Sequence, residues 1–121
     1  MRALVLDDSK AMRMILKSIL KDFGYECFEA GNGQEALDKL SESEPPLLAL
    51  VDWNMPVMNG FEFLKKLRAD RRYDETKVVM VTTESEMDNV QAALEAGAND
   101  YAMKPFEKIA LKMKLEMLLG G

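Results

Sequence analysis

The sequence predicts an α/β protein, a doubly wound parallel sheet of five strands with five helices covering its two faces. Short apolar runs alternate along the 121 residues with longer segments whose apolar residues recur at helical spacing. Four of the five predicted strands are followed directly by a charged or hydroxyl side chain. Because parallel strands need a crossover between them, usually a helix, this alternation is typical of a sheet with helices on both faces.

The first strand and helix are marked by apolar periodicity and by end signals. Residues 3–6 are an apolar run that predicts a buried strand. Ser9 is a suitable N-cap, and apolar residues at helical spacing continue to Phe23. Gly24 stands where a helix end favours positive φ. A second, weaker strand follows at residues 25–29 because two glutamates interrupt its apolar character.

The middle of the chain repeats the pattern after a Gly-Asn-Gly turn. Apolar residues within 36–40 mark a second helix, which the two prolines at 45–46 end. Residues 47–51 are the next strand, and residues 53–60 form a loop with proline and glycine. Phe61 begins the apolar spacing of a third helix.

The last part of the chain completes the alternation. The third helix is expected to close near residues 71–72, and the apolar run at 78–81 predicts the fourth strand. Helical spacing then runs over residues 87–97. A fifth strand is predicted at residues 100–103, and a closing helix at 106–119.

Composition excludes several classes of function. The chain has no histidine and one cysteine, Cys27, which excludes Ser-His-Asp catalysis, zinc fingers and an internal disulfide. Its net charge of −5 disfavours nucleic-acid binding. It carries no apolar run long enough to span a bilayer and no signal peptide. We therefore expect one cytoplasmic domain over residues 1–121, with no membrane and no nucleic acid as partner.

Polar residues follow the predicted strands at positions that should meet in space. Asp7 and Asp8 close the first strand, Asp52 the third, Thr82 the fourth and Lys104 the fifth. In an open parallel sheet these strand ends share one edge, where ligands bind. Each residue alone is better explained as a turn former, a cap or a solvated side chain. The joint pattern predicts a crevice with three carboxylates, a hydroxyl and an ammonium group.

The chemistry of this crevice favours a divalent cation and a phosphoryl group. Like-charged carboxylates about 4 Å apart repel by on the order of 4 kcal/mol at an effective dielectric near 20, which calls for a cation beside Lys104. An all-oxygen donor set favours Mg²⁺ or Mn²⁺ over zinc. Asp52 is then a candidate nucleophile for an aspartyl phosphate, with Lys104 and Thr82 contacting its oxygens.

These residues resemble the receiver domain of two-component response regulators over the whole chain. The resemblance is carried by Asp7-Asp8, by Asp52 with Pro56 and Gly60 after it, by Thr82, and by Lys104-Pro105-Phe106. The stretch from Asp52 to Pro56, with Thr82 and Glu84, is most similar to chemotaxis-type regulators. It implies a flavodoxin-like fold with strand order 2-1-3-4-5.

The resemblance also implies how the site works. A sensor histidine kinase would phosphorylate Asp52. Asp8, Asp52 and the backbone carbonyl of Asn54 would hold Mg²⁺, with Asp7 acting through water.

The remaining roles concern the fourth and fifth strands. Thr82 and Tyr101 would form a switch pair, in which the hydroxyl approaches the phosphate and the ring turns inward. Lys104 would bind a phosphate oxygen, and the Lys104–Pro105 bond would be cis.

Some positions depart from the commonest pattern of that family. Asn59 replaces an aspartate before Gly60, and little effect is expected because a left-handed turn tolerates either residue. Thr83 is bulkier than the usual small residue and should alter phosphate lifetime. Asn54 and Glu84 flank the site and are expected to tune hydrolysis.

Two helical surfaces are candidate interfaces. The first helix presents a basic face with one apolar spot, interpreted as a dock for a kinase or phosphatase: Lys10, Arg13, Met14, Lys17 and Lys21. The last helix carries two apolar stripes, one of Ile109, Ala110, Met113 and Met117, the other of Leu111, Leu115, Leu118 and Leu119. The resemblance implies a phosphorylation-dependent target on the surface of helix four, strand five and helix five.

Three alternatives to a stand-alone chemotaxis-type regulator make different demands on the sequence. The same residues suit a receiver cut from a longer regulator with its own output domain. A metal-dependent phosphohydrolase usually has a second acid two residues after its nucleophile, where this chain has Asn54. A flavin module needs a phosphate loop rich in Ser, Thr and Gly after the first strand, where Asp7 and Asp8 stand.

Overall fold

The described part of the chain, residues 1–83, 88–104 and 107–119 of a computed structural model, contains a five-stranded parallel sheet in the order β2-β1-β3-β4-β5. The strands are β1 Arg2–Leu6, β2 Glu26–Ala30, β3 Leu48–Asp52, β4 Lys77–Thr83 and β5 Asp100–Lys104. The helices within these ranges are α1 Lys10–Lys21, α2 Gly33–Leu40, α3 Gly60–Arg68, α4 Val90–Glu95 and α5 Lys108–Leu119. The predicted fold class and strand order are confirmed.

The sheet separates two apolar layers because successive side chains of a strand point to opposite faces. In β1, Ala3 and Val5 pack on one face, whereas Leu4 and Leu6 pack on the other. The first layer is closed by α1 and α5, and the second by α2, α3 and α4. The central strands β1, β3 and β4 are therefore buried on both sides, which explains why they read as continuous apolar runs.

Both ends of α1 follow the local signals, whereas the start of α3 needs a correction. The Ser9 hydroxyl accepts a hydrogen bond from the Met12 amide at 3.2 Å, and Gly24 has φ 83°, so both predictions are confirmed. Asn59 is extended and caps α3, forming a capping box with Glu62. The left-handed turn assumed for Asn59 is therefore wrong. Asn suits the position because Asn and Asp are equally good N-caps.

The strands reach further than their apolar runs. Asp52 pairs with Val81, and Thr83 pairs with Lys104, so ladder pairing continues into the polar residues at the strand ends. The third helix ends earlier than expected, because the Asp70 side chain accepts from the Arg72 amide and starts a separate 3₁₀ turn at Arg71–Tyr73. The predicted starts of the fourth and fifth helices at residues 87 and 106 lie outside the described residues.

The two candidate helical surfaces turn out differently. On α5, Leu111 and Leu115 are buried, whereas Ile109, Met113 and Met117 are exposed, so one stripe belongs to the core and the other is open. On α1 the basic face is smaller than predicted. The Arg13 side chain is only 17% exposed and, like Lys17, pairs with Glu29 on β2. The exposure predicted for these two side chains is therefore only partial, and the dock itself stays a prediction.

No helix within residues 1–83, 88–104 and 107–119 combines the length and the hydropathy that crossing a bilayer requires.

The loop between β3 and α3 contains a strained residue, Val57, that no local sequence signal predicts. Val57 has φ 69°, and the Met58 amide donates to the Pro56 carbonyl at 2.7 Å across it. This is a γ-turn of the rare, positive-φ type. A β-branched side chain is poorly suited to such a backbone, and Val57 is 81% exposed, so packing does not repay the strain.

Replacing Val57 with a residue that tolerates positive φ should stabilise the protein. We expect Val57→Asn to raise the free energy of unfolding by about 1 kcal/mol, measured by urea denaturation. Val57→Thr is the matched control, because it adds polarity but keeps the branched Cβ, and it should give no gain. Equal stabilisation by both variants would show that polarity, and not backbone strain, sets the effect.

Candidate functional site

Three carboxylates meet at the C-terminal edge of the sheet, as predicted. Asp7 and Asp8 follow β1, and Asp52 is the last residue of β3, the strand that pairs directly with β1. One carboxylate oxygen from each lies within 4.8 Å of those of the other two. Asp7 and Asp52 are 1% and 5% exposed, whereas Asp8 faces solvent. The cluster thus has a buried floor and an open side.

Lys104 joins the two buried carboxylates. Its Nζ donates to Asp7 Oδ2 and to Asp52 Oδ1, each at 3.1 Å. Asp7 is 97 positions and Asp52 is 52 positions away from this lysine in the sequence. The fold brings them together because β5 ends at the same edge of the sheet as β1 and β3. The predicted convergence of Lys104 with Asp7 and Asp52 is therefore present in the fold.

The negative charge of the cluster exceeds what one ammonium group can offset. Burial raises the pKa of Asp52 to about 6, and repulsion from Asp7 adds to this increase while Lys104 opposes it. Burial disfavours the charged form of Lys104, but attraction to Asp52 and Asp7 outweighs it and raises the pKa of Lys104. The ammonium group therefore stays charged, whereas burial and repulsion from Asp7 disfavour the ionised form of Asp52.

Gly60 allows the loop after β3 to close tightly against Asp52. A Cβ at this position would collide with the carbonyl oxygen of Asp52. The Gly60 amide also donates to the Trp53 carbonyl at 2.9 Å, which folds the loop back on the strand end. From the sequence, Gly60 was predicted only as the glycine that ends the loop. Its close approach to the candidate phosphoacceptor depends on tertiary structure.

Thr82 lies fully buried on β4, one residue after Val81, which pairs with Asp52. Its side-chain oxygen has no hydrogen-bond partner within the described part of the chain. Buried hydroxyl groups in proteins nearly always have a partner, so this one is conspicuous. A ligand oxygen that entered the crevice would offer a partner that the described residues do not supply.

Tyr101 lies on the same face of the sheet as Thr82, one strand away. It pairs with Met80, which is two residues before Thr82 on β4, so the two side chains are diagonal neighbours. Tyr101 is half-buried, and the Lys114 ammonium of α5 lies 4.3 Å from its ring centroid. The same ammonium donates to the Tyr101 carbonyl at 2.6 Å. Tyr101 thus connects the Thr82 face to α5.

The flanking residues are placed only in part. Asn54 is exposed in the loop after β3, and Thr83 is half-buried at the end of β4. Glu84 and Pro105 lie outside the described residues. The predicted cis bond between Lys104 and Pro105 therefore lies outside them as well. The roles assigned to these four residues stay predictions.

The donor set fits a hard divalent cation. All three side chains supply carboxylate oxygen, and the exposed Asp8 leaves the cluster accessible from solvent. Such cations prefer oxygen ligands and keep several waters, which an open site permits. Excess negative charge beside Lys104 gives the same preference on electrostatic grounds.

Titration of Asp52 should be visible in folding stability. In metal-free protein, its carboxyl should titrate at about 6 instead of 3.8. The folded state then binds the extra proton between these pH values, so stability falls as pH rises through this window. We expect a loss on the order of 3 kcal/mol relative to Asp52→Asn, which lacks the titrating group.

The measurement combines carboxyl ¹³C NMR with urea denaturation of both proteins across this pH range. Parallel stability curves for the two proteins, or a carboxyl that titrates at its ordinary pKa, would contradict the prediction.

Comparison with known proteins agrees with the fold and the site. Residues 3–116 match the family described as response regulator receiver domain. The chain is 47% identical to chemotaxis protein CheY1 of Helicobacter pylori, over 99% of this chain and 98% of that one. It is 46% identical to the CheY homolog of Campylobacter jejuni, with 99% and 93% covered. The structure of CheY4 of Vibrio cholerae superposes with a TM-score of 0.88 at 36% identity, covering 97% of each chain. The chain therefore belongs to the response regulator receiver domains, in the CheY-like chemotaxis group.

Proposed function

We propose that residues 1–121 form one receiver domain that acts as a phosphorylation switch. Asp52 accepts a phosphoryl group from a sensor histidine kinase, and the modified protein changes its affinity for a downstream target. The observation that carries this proposal is Lys104, whose ammonium group bridges Asp52 and Asp7 at 3.1 Å within a cluster of three carboxylates. Phosphoryl transfer needs this combination of positioned nucleophile and concentrated charge.

The transfer itself requires Asp52 as a carboxylate. One Asp52 oxygen attacks the phosphorus of the kinase phosphohistidine while the P–N bond breaks and its electron pair stays on the imidazole nitrogen. The product is an aspartyl phosphate, a mixed anhydride. With a pKa of about 6, Asp52 is mostly ionised at neutral pH. The raised pKa of Asp52 reflects a carboxylate that water solvates poorly. A poorly solvated carboxylate is the more reactive nucleophile, which favours attack on phosphorus.

Mg²⁺ or Mn²⁺ is the cofactor that this donor set suits. Asp8 and Asp52 would hold it together with the Asn54 carbonyl, and Asp7 would act through water. Both Asp7 carboxylate oxygens already have partners, Oδ1 with the Ser9 amide and Oδ2 with Lys104, which supports an indirect role. The cation, when bound, neutralises phosphoryl oxygens and orients them toward Asp52.

Two groups remain for the other phosphoryl oxygens. Lys104 lies beside the acceptor oxygen of Asp52 and can donate to the new group. The Thr82 hydroxyl, unpartnered within the described residues, gains a hydrogen bond if it turns toward the phosphoryl group. Thr83 and Glu84, which flank the site in sequence, are proposed to tune the lifetime of the product. The chemistry performed is limited to self-phosphorylation and self-dephosphorylation.

The output surface is proposed to be α4, β5 and α5. Movement of Thr82 toward the phosphoryl group vacates space on the face that Tyr101 shares, so the ring turns inward and its contact with Lys114 is broken. Ile109, Met113 and Met117 expose apolar surface on the adjoining helix, and Met103 does so on β5. An apolar surface of this kind suits a protein partner. The similarity to chemotaxis proteins supports a target in chemotaxis.

Trp53 fluorescence should report both Mg²⁺ binding and phosphorylation at Asp52. This side chain follows Asp52 directly and stacks on Phe61 at a centroid distance of 5.4 Å. We expect one intensity change on adding Mg²⁺ and a second on adding a small-molecule phosphodonor, with an intact mass increased by one phosphoryl group. Asp52→Asn should lose the second change and the added mass. A wild-type protein that binds Mg²⁺ but gains no mass would overturn the phosphoacceptor assignment.

Methionine methyl groups should locate the responding surface. We expect phosphodonor and Mg²⁺ to shift the ¹³C-methyl NMR signals of Met103 and Met113, because both lie on the proposed output surface. Met14 is the internal control, since it is as exposed as Met113 but lies on α1. No signal should move beyond the Mg²⁺ effect in Asp52→Asn. A shift at Met14 with none at Met103 and Met113 would place the response on the wrong side of the molecule.

A further inference from the structure

Arg13 is a cationic side chain of α1 whose position differs from that of its basic neighbours. Lys10 and Lys21 are exposed, whereas the Arg13 side chain is 17% exposed and lies against the end of β2. A side chain in this position contributes little to an intermolecular dock. Its contacts lie within the molecule, and one of them reaches the acidic cluster.

The guanidinium group connects two elements. Nη1 donates to the Asp7 carbonyl oxygen at 2.8 Å, and Nε donates to Glu29 Oε1 at 2.8 Å. These two bonds leave the planar group in different directions, which a lysine ammonium on a single tip does not reproduce. Glu29 also pairs with Lys17. The hydrogen bonds from Lys17 and Arg13 lower the pKa of Glu29. The anchor for Arg13 is therefore a charged carboxylate.

Every polar group of Asp7 has a partner, and Arg13 provides one of them. The Asp7 amide donates to the Ala30 carbonyl at 3.1 Å, and Oδ1 accepts from the Ser9 amide at 2.9 Å. Oδ2 accepts from Lys104. The carbonyl oxygen is the remaining group, and Arg13 occupies it. Because Asp7 is buried, loss of this partner would leave a polar atom unsatisfied and free the peptide to rotate.

We propose that Arg13 is a positioning residue of the acidic site. It holds the peptide between β1 and α1 so that the Asp7 carboxylate stays directed at Lys104 and at the cation site, with Glu29 as its anchor. The inference rests on the proposed Mg²⁺ site for its functional reading. Its structural part, the orientation of Asp7, is testable without metal.

Lys17 provides a matched control. It pairs with the same Glu29 carboxylate but, within the described residues, makes no contact with Asp7. Lys17→Gln therefore removes a charged partner of Glu29 and leaves the Asp7 carbonyl bonded. Arg13→Gln removes both contacts of Arg13, and Arg13→Lys keeps the charge but not the two-way bridge.

The experiment measures Mg²⁺ affinity by Trp53 fluorescence and, in metal-free protein, hydrogen exchange of the Ser9 amide by NMR. We expect Arg13→Gln and Arg13→Lys to weaken Mg²⁺ binding by about tenfold or more, as is usual for residues that orient ligands. Both should also speed Ser9 exchange. Lys17→Gln should change neither quantity, although thermal denaturation should show a comparable loss of stability.

Each possible failure has its own signature. Wild-type protein that fails to bind Mg²⁺ would sink the proposed function and leave the Ser9 result to decide the positioning role. Normal Mg²⁺ affinity and Ser9 exchange in both Arg13 variants would overturn the inference. If Arg13→Gln does not fold, Arg13→Lys decides, since it retains a cation beside Glu29. Equal effects in Lys17→Gln would assign the result to general destabilisation.

Discussion

The two hydrogen bonds of Lys104 are the interaction on which the site depends. Asp7 and Asp52 are buried at the ends of adjacent strands, and a third carboxylate, Asp8, lies beside them. Like charges at this separation are tolerated in a folded protein only if a cation offsets them. Lys104 provides that cation from the far edge of the sheet, 3.1 Å from both. The ion pairs therefore tie β5 to β1 and β3 at the edge where ligands are expected to bind.

The compensation is incomplete, and this incompleteness gives the site its chemical character. One ammonium group faces three carboxylates, and the pKa of Asp52 is raised to about 6. A buried hydroxyl at Thr82 has no partner in the part of the chain that the structure describes. The carboxylates therefore favour a further positive charge, and the Thr82 hydroxyl favours a hydrogen-bond acceptor; a ligand can supply both. A hydrated divalent cation and a phosphoryl group would satisfy both demands, which is why the receiver chemistry fits this geometry.

The site is supported by residues that lie behind it. Gly60 lets the loop approach the Asp52 carbonyl, and Arg13 bonds the Asp7 carbonyl from α1. On the surface proposed for output, Tyr101 shares a sheet face with Thr82 and contacts Lys114 of α5. The backbones of Asp7 and Asp52 are thus contacted from behind the site. Thr82 is linked to α5 through Tyr101. In the proposed switch, the Asp52 acceptor stays in place while the neighbouring Thr82 hydroxyl moves toward the phosphoryl group.

Apolar runs, helical spacing and caps in the sequence were sufficient to predict five strands, their helices and the meeting of Asp7, Asp52 and Lys104, because parallel strands end at a common edge. The 2-1-3-4-5 order came from the family resemblance, since several orders satisfy the same alternation. Tertiary structure alone decided the rest. Arg13 and Lys17 were indistinguishable from Lys10 and Lys21 in sequence until β2 placed Glu29 beside them. Likewise, positive φ fell on Val57 and not on Asn59, because loop closure around Gly60, a nonlocal constraint, outweighed the local preference of a β-branched residue.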